Sequence, residues 1–153
     1  MRFQIAASST TDANGETLAI AYGRAASCPF ATPSAPVPLT SCTANPGVVP
    51  SVNQIEWTPA LYDAATVDAH RERGVTLEGY SPFKAADLND AVLTAIAADH
   101  DRTVAQIILR WHLEHGFVAI PKSSDPERIA ENFDVFDFSL GDEEVARIDA
   151  LGR

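Results

Sequence analysis

The run Phe117-Val118-Ala119-Ile120-Pro121-Lys122-Ser123-Ser124-Asp125-Pro126-Glu127-Arg128-Ile129-Ala130-Glu131-Asn132 decides the fold. It reads as a strand, a basic loop and a helix. Residues 117–120 are continuously apolar, as expected of a strand buried on both faces. Pro121 stops that strand. Asp125 suits an N-cap, and Pro126 suits the first helical position, where no N–H is required. Lys122 and Ser123 therefore stand just before a helix N-terminus, and Arg128 projects from its first turn. Cations, a hydroxyl and free backbone N–H groups converging on one small volume are what holds a phosphate. A capped surface helix with ordinary solvated charges fits the same letters, and the local pattern leaves both readings open.

The chain has 153 residues, 46% of them hydrophobic, which is material for one modest core and not for two domains. A complete barrel of eight strands and eight helices takes roughly 250 residues, so this chain is too short to be one. The formal net charge of -10 disfavours nucleic acid and anionic membranes as partners. Cys28 and Cys42 fit neither a metal knuckle, a redox pair nor a disulfide framework, and no metal is expected. The opening Met1-Arg2-Phe3-Gln4-Ile5-Ala6-Ala7-Ser8 has no long apolar run, so no signal peptide is read. No stretch approaches membrane-spanning length, and the expected compartment is the cytoplasm.

Residues 1–46 differ from the rest. They are rich in Ala, Ser, Thr and Pro, with prolines at 29, 33, 36, 38 and 46, and no apolar period persists. Leu18-Ala19-Ile20-Ala21-Tyr22 is the one candidate strand there; the remainder reads as irregular, either disordered or an out-of-frame reading of the same gene. From Val48 the pattern changes. Val52-Asn53-Gln54-Ile55-Glu56 reads as a strand between Pro50 and Pro59, residues 61–73 as a helix ended by Gly74, and residues 75–79 as a second strand. Asp90 or Asn89 caps a helix carrying Val92, Leu93 and Ile96. Thr103-Val104-Ala105-Gln106 is a capping box. It opens a helix with Val104, Ile107, Ile108 and Trp111 at helical spacing, ended by Gly116. Gly141-Asp142-Glu143-Glu144 opens a last helix bearing Val145, Ile148 and Leu151. Strands alternating with helices imply a parallel sheet of βαβ units.

From about Gly47 onward these residues resemble the C-terminal part of an aldo-keto reductase. The resemblance rests on six blocks: Val52-Asn53-Gln54-Ile55-Glu56, Gly79-Tyr80-Ser81-Pro82-Phe83, Ala105-Gln106 with Leu109-Arg110-Trp111, Ile120-Pro121-Lys122-Ser123, Arg128-Ile129 with Glu131-Asn132, and Phe136-Asp137-Phe138. Six blocks in the family's order are specific where one would be weak. The resemblance implies an α/β fold: a partial (β/α)8 TIM barrel, roughly its last three strands and their helices, over residues 47–153. It also implies an NADPH site. Gln54 resembles the residue bonding the nicotinamide carboxamide, and Tyr80 the ring stacked under the nicotinamide. Ser81 and Phe83 resemble contacts to the pyrophosphate, and Lys122, Ser123 and Arg128 the clamp on the 2′-phosphate. Glu131 and Asn132 resemble the residues reaching the adenine. They follow Arg128 by three and four positions, so one helix face presents all three. Ala85 departs from the family, which often has a polar residue near there.

The same resemblance implies NADPH-dependent reduction of small aldehydes or ketones, and a catalytic tyrosine, lysine, aspartate and histidine from the first half of the barrel. Residues 1–46 contain no lysine and no histidine, and Asp12 with Tyr22 cannot complete the set. Across residues 31–47, shifting the reading frame permits a stretch resembling the family's own lead-in to Val48. No residue of this chain is therefore expected to be catalytic. The expectation is a cofactor-binding half, truncated and inactive alone, with a non-catalytic nucleotide-binding or interaction fragment as the alternative. A half barrel also leaves sheet edges that invite self-association. His70, His100, His112 and His115 all fall on helices or helix ends and are expected to be structural. Trp57 reads as a packing residue or a pocket wall.

Overall fold

The computed structural model describes residues 8–11, 17–21 and 50–152. These described residues fall into two compact units, those up to 54 together with 64–77, and 55–63 together with those from 78 onward. Asp12, Tyr22, Cys28, Cys42 and residues 31–47 lie outside the described residues.

In the first unit, β1 (Ser8–Thr11) pairs antiparallel with β2 (Thr17–Ala21), and β2 pairs parallel with the start of β3 (Val52–Glu56), Ile20 opposite Val52. The candidate strand at 18–22 is thus present as β2, and β1, which the sequence did not signal, pairs with it. Helix α1 spans Ala64–Glu72, beginning later than the expected residue 61. The reason is local: Pro59 opens a separate 3-10 turn, Pro59–Leu61, and Tyr62 leaves it with an extended ψ of 133°. Gly74, at φ +64°, ends α1 in the left-handed region. The chain then enters β4 (Thr76–Tyr80), whose Thr76 N–H donates to Ser51 O at 2.9 Å. Val67, Val75 and Leu77 are buried here, and so is His70. His70 Nδ1–H donates to Thr66 O at 2.6 Å, and its Nε2 accepts from the Asn53 amide at 2.9 Å. Both ring nitrogens have partners within the packing, which is a structural role.

In the second unit, β4 pairs parallel with β5 (Val118–Ile120), Glu78 opposite Val118 and Tyr80 opposite Ile120. Trp57 N–H, just past β3, donates to Tyr80 O at 3.4 Å. Helix α2 (Ala91–Asp99) starts at Asp90, whose carboxylate accepts from Val92 and Leu93 N–H. Helix α3 (Val104–Glu114) starts with the expected capping box between Thr103 and Gln106. It is the centre of the unit, packing on α2, β5, α4 (Pro126–Phe133) and α5 (Asp142–Asp149). Ile107, Ile108, Leu109, Trp111 and His112 are all buried, so the helix is enclosed on most sides. Trp111 lies edge-on to Tyr62, His115 and Phe117 and donates its indole N–H to Asp149 at 2.8 Å. Deleting a fully buried ring of this kind costs about 3–5 kcal/mol. Trp57 is buried against Tyr62 and Phe117, which makes it a packing residue. Gly79 sits where a side chain would be tight: a Cβ there would stand 3.1 Å from both His112 Nε2 and Trp57 Cβ, which would have to give by a few tenths of an ångström.

One expectation is corrected. The strand begins at Val118, not Phe117, and it is not buried on both faces. Phe117 is buried, but Val118 and Ile120 stay 42% and 40% exposed. Alternate strand residues face opposite sides, and residues 118 and 120 share the side that no helix among the described residues covers. An apolar run reports that a face is built for burial; it does not say that the covering element is at hand.

His112 gives the core a pH dependence. Burial lowers its pKa, more than the carbonyls of Ile108 and Trp57 raise it, and His115 adds to the lowering. The folded state therefore holds a neutral ring with Nδ1–H on Ile108 O at 2.8 Å. Unfolding frees a ring that protonates near about 6.5, so the unfolded state binds more protons below that pH and stability falls as pH drops through it. Glu114 and Glu144 act lower down. Burial opposes their ionisation. Arg110 and the Leu140 N–H outweigh it at Glu114, and the Gly141 N–H and His100 at Glu144, so both pKa values end lowered. Their contribution is present above the ordinary carboxylate range and is lost as pH falls through it. Urea unfolding from pH 8 to 4 is expected to show a first decline near about 6.5, then a second near about 4.5. The first is expected to vanish in His112→Gln, and its persistence there would refute the assignment.

Candidate functional site

The basic loop forms as its sequence dictates. Asp125 is the N-cap of α4, its Oδ1 accepting from Glu127 N–H at 2.9 Å, with Pro126 at the first helical position. Ser123 Oγ accepts from Asp125 N–H at 3.1 Å and fixes the turn that leads into the cap. Lys122 is exposed and has no hydrogen-bonding or ionic partner among the described residues. Among the described residues Arg128 reaches only Asp125 Oδ2, at 3.9 Å, a separation that commits little of its charge. Two cations and a hydroxyl thus stand together at a helix N-terminus, with nothing among the described residues neutralising Lys122. Glu131 and Asn132 are half-buried one turn further along α4.

Three side chains outside the loop hold α4 in place, and the sequence did not single out this work. Gln106 Nε2 donates to the carbonyl of Asp134 at 2.8 Å and to that of Glu131 at 3.4 Å. Arg110 donates to Val135 O at 3.2 Å. Arg102 pairs with both Asp134, at 2.6 Å, and Asp137, its guanidinium 5.3 Å from the centre of the Phe138 ring. Since no residue of α4 is buried, these polar ties, more than core packing, fix where Arg128, Glu131 and Asn132 sit. The spacing of 25 to 35 residues hides them from local pattern.

On the adjoining strand of the same unit, Tyr80 ends β4 and is exposed, its ring face available for a flat heterocycle. Ser81 adopts φ 54°, a left-handed conformation unusual for a non-glycine and concentrated at functional turns. Lys84 N–H closes that turn on Ser81 O at 3.0 Å, with Phe83 half-buried inside it. Because the register sets Tyr80 opposite Ile120, the loops after β4 and after β5 leave the same end of the sheet, the carboxyl end, where α/β sheets bind ligands. Gln54 lies in the first unit, half-buried in β3. Seen against this geometry the four histidines are structural: His100 pairs with Glu144 at 2.9 Å, and His115 pairs with Asp149 at 2.8 Å while stacking on Phe117. A pocket of about 310 Å³ between α3 and α5 includes none of the expected site residues. Among the described residues, no three His, Cys, Asp or Glu side chains gather as a metal site, and no helix is long and apolar enough to cross a membrane.

The family model for the aldo/keto reductase family matches residues 37–153. The chain belongs to the aldo/keto reductase family. It is 44% identical over 117 residues to an aldo-keto reductase of Mycolicibacterium smegmatis, covering 76% of this chain and 42% of that protein. It is 47% identical over 107 residues to glyoxal reductase of Bacillus subtilis, covering 69% of this chain and 39% of that protein. Among solved structures it resembles a Gox0644 mutant in complex with NADPH, with a TM-score of 0.69 and 40% identity, over 75% of this chain and 43% of the other. The chain thus spans about four-tenths of the length of the curated relatives it matches. Its α/β architecture is a partial (β/α)8 barrel.

Proposed function

We propose that this aldo/keto reductase chain is the NADPH-binding part of an oxidoreductase that reduces small aldehydes or ketones. The observation that carries the reading is the pair Lys122 and Arg128 at the capped start of α4, two cations with little else to bind. A 2′-phosphate dianion needs such a pair, and Ser123 adds a hydroxyl. Glu131 and Asn132, on the same helix, fit the edge of an adenine. Ser81 and Phe83 fit a pyrophosphate, Tyr80 the nicotinamide face, and Gln54 the carboxamide. When bound, the cofactor supplies the hydride; the side chains here bind and orient it. None of them is assigned a proton transfer, and we propose that residues 47–153 are the functional part and are inactive on their own. A cytoplasmic location is part of this proposal. Val118, Ile120 and Tyr80, exposed on adjoining strands, support self-association of the chain.

The clamp is tested by titrating the purified chain with NADPH and NADH. NADPH is expected to bind more tightly. A charge-assisted bond to phosphate is worth about 1.5–3 kcal/mol, and Arg128 is exposed, so the lower end applies. Arg128→Ala should therefore lower NADPH affinity roughly tenfold and leave NADH affinity alone. Equal affinity for the two cofactors in the unmutated chain would remove the basis of the assignment.

A further inference from the structure

We propose that Lys84 is a further cofactor-binding residue, which exchanges Glu56 for the pyrophosphate of a bound dinucleotide. The inference rests on the NADPH reading above and extends it to a side chain that the family blocks do not include. Lys84 closes the turn begun by the left-handed Ser81, so its stem leaves the loop immediately after the residues placed at the pyrophosphate. Its Nζ reaches Glu56 Oε2 at 3.0 Å. Glu56 is the last residue of β3, and the neighbouring Trp57 N–H is bonded to Tyr80 O. The ammonium is thereby held over the carboxyl ends of β3 and β4, the rim where an α/β sheet takes its ligand.

The electrostatics of that rim make the pairing informative. A carboxylate at the end of β3 opposes a pyrophosphate, and Lys84 is the cation bonded to it. Lys84 is 68% exposed on a long flexible stem, and an exposed pair of this kind contributes little to stability. The ammonium can therefore move to a ligand that carries more negative charge than Glu56. Ala85 offers no hydroxyl beside it, and Lys84 is the one cation of the loop between Phe83 and α2.

The test is titration of the full chain with NADPH, NADH and adenosine 2′-monophosphate, which keeps the 2′-phosphate and lacks the pyrophosphate. Lys84→Met is expected to weaken NADPH and NADH by the same factor, roughly tenfold, and to leave the monophosphate unchanged. Lys84→Arg should stay within about twofold of the parent, which shows that the loop folds and charge is what matters. The comparison is repeated in a Glu56→Gln background. A direct contact predicts the same loss there; disappearance of the loss would mean that Lys84 only neutralises Glu56, and would overturn the proposal. Equal weakening of the monophosphate would overturn it as well. Failure of the parent reading looks different: Arg128→Ala would then not produce its own pattern, loss of NADPH and monophosphate with NADH spared. Absence of binding by all three ligands to the unmutated chain would remove both.

Discussion

The purified chain of 153 residues is expected to leave the absorbance of NADPH unchanged when mixed with a reactive aromatic aldehyde. Hydride transfer to a carbonyl builds charge on oxygen, and a proton must be within hydrogen-bond reach of it. Cofactor and substrate must also be held in near-attack geometry. The lysines and histidines among the described residues have other partners, proposed or observed. Its two lysines, Lys84 and Lys122, are proposed to meet anionic parts of the cofactor. Its four histidines are bonded into helix packing: His70 to Asn53 and Thr66, His100 to Glu144, His112 to Ile108, and His115 to Asp149. In the proposed pose Tyr80 stacks through its ring face, which would turn its hydroxyl away from the reacting carbon. Supplying an intact N-terminal half barrel, fused or as a separate chain, is expected to restore NADPH-dependent reduction, a change from no measurable rate to an enzymatic one. Turnover by the short chain alone, lost in Tyr80→Ala and indifferent to the added half, would put the chemistry in these residues and defeat the proposal.

What the sequence disclosed, it disclosed through short-range chemistry. Val52–Glu56 lies between two prolines and is a strand with the expected ends. Thr103 and Gln106 form their capping box because both partners are three residues apart on one turn. Asp125, Pro126 and Arg128 assemble the basic helix start for the same reason. The misses are of two kinds. Where the local backbone departs from the expected course, pattern fails: Ser81 takes the left-handed conformation usual for glycine, and the 3-10 turn opened by Pro59 leaves Tyr62 extended where a continuous helix was expected. Where partners are distant in sequence, pattern is silent. The Lys84–Glu56 pair spans 28 residues, and the ties from Gln106, Arg110 and Arg102 that position α4 span 25 to 35. The composition of β5 marked it correctly as apolar and said nothing about whether the face it was built for is covered.

That uncovered face leads to the second large effect. The chain is expected to self-associate, and Val118→Lys with Ile120→Lys is expected to return it to a monomer. Val118 and Ile120 lie on one side of β5, and Tyr80, also exposed, is paired with Ile120 on the adjoining strand. Water contact with three large apolar side chains is relieved if a second copy covers them, at about 25 cal/mol for each Å² removed. The backbone of β5 adds unpaired groups, since no strand among the described residues bonds its outer edge. The strand is only three residues long, so the interface is small and the association should be weak, with a dissociation constant of about micromolar order. Paired lysines act from both sides of the balance: they remove the apolar surface, and two copies then bring like charges together. Light scattering over a concentration series reads the result. Mass rising with concentration in the parent chain, and constant in the double variant, is the expected outcome. A sharp monomer at every concentration, unfolding cooperatively, would show that β5 is stable as an open edge and that the exposed face needs no partner.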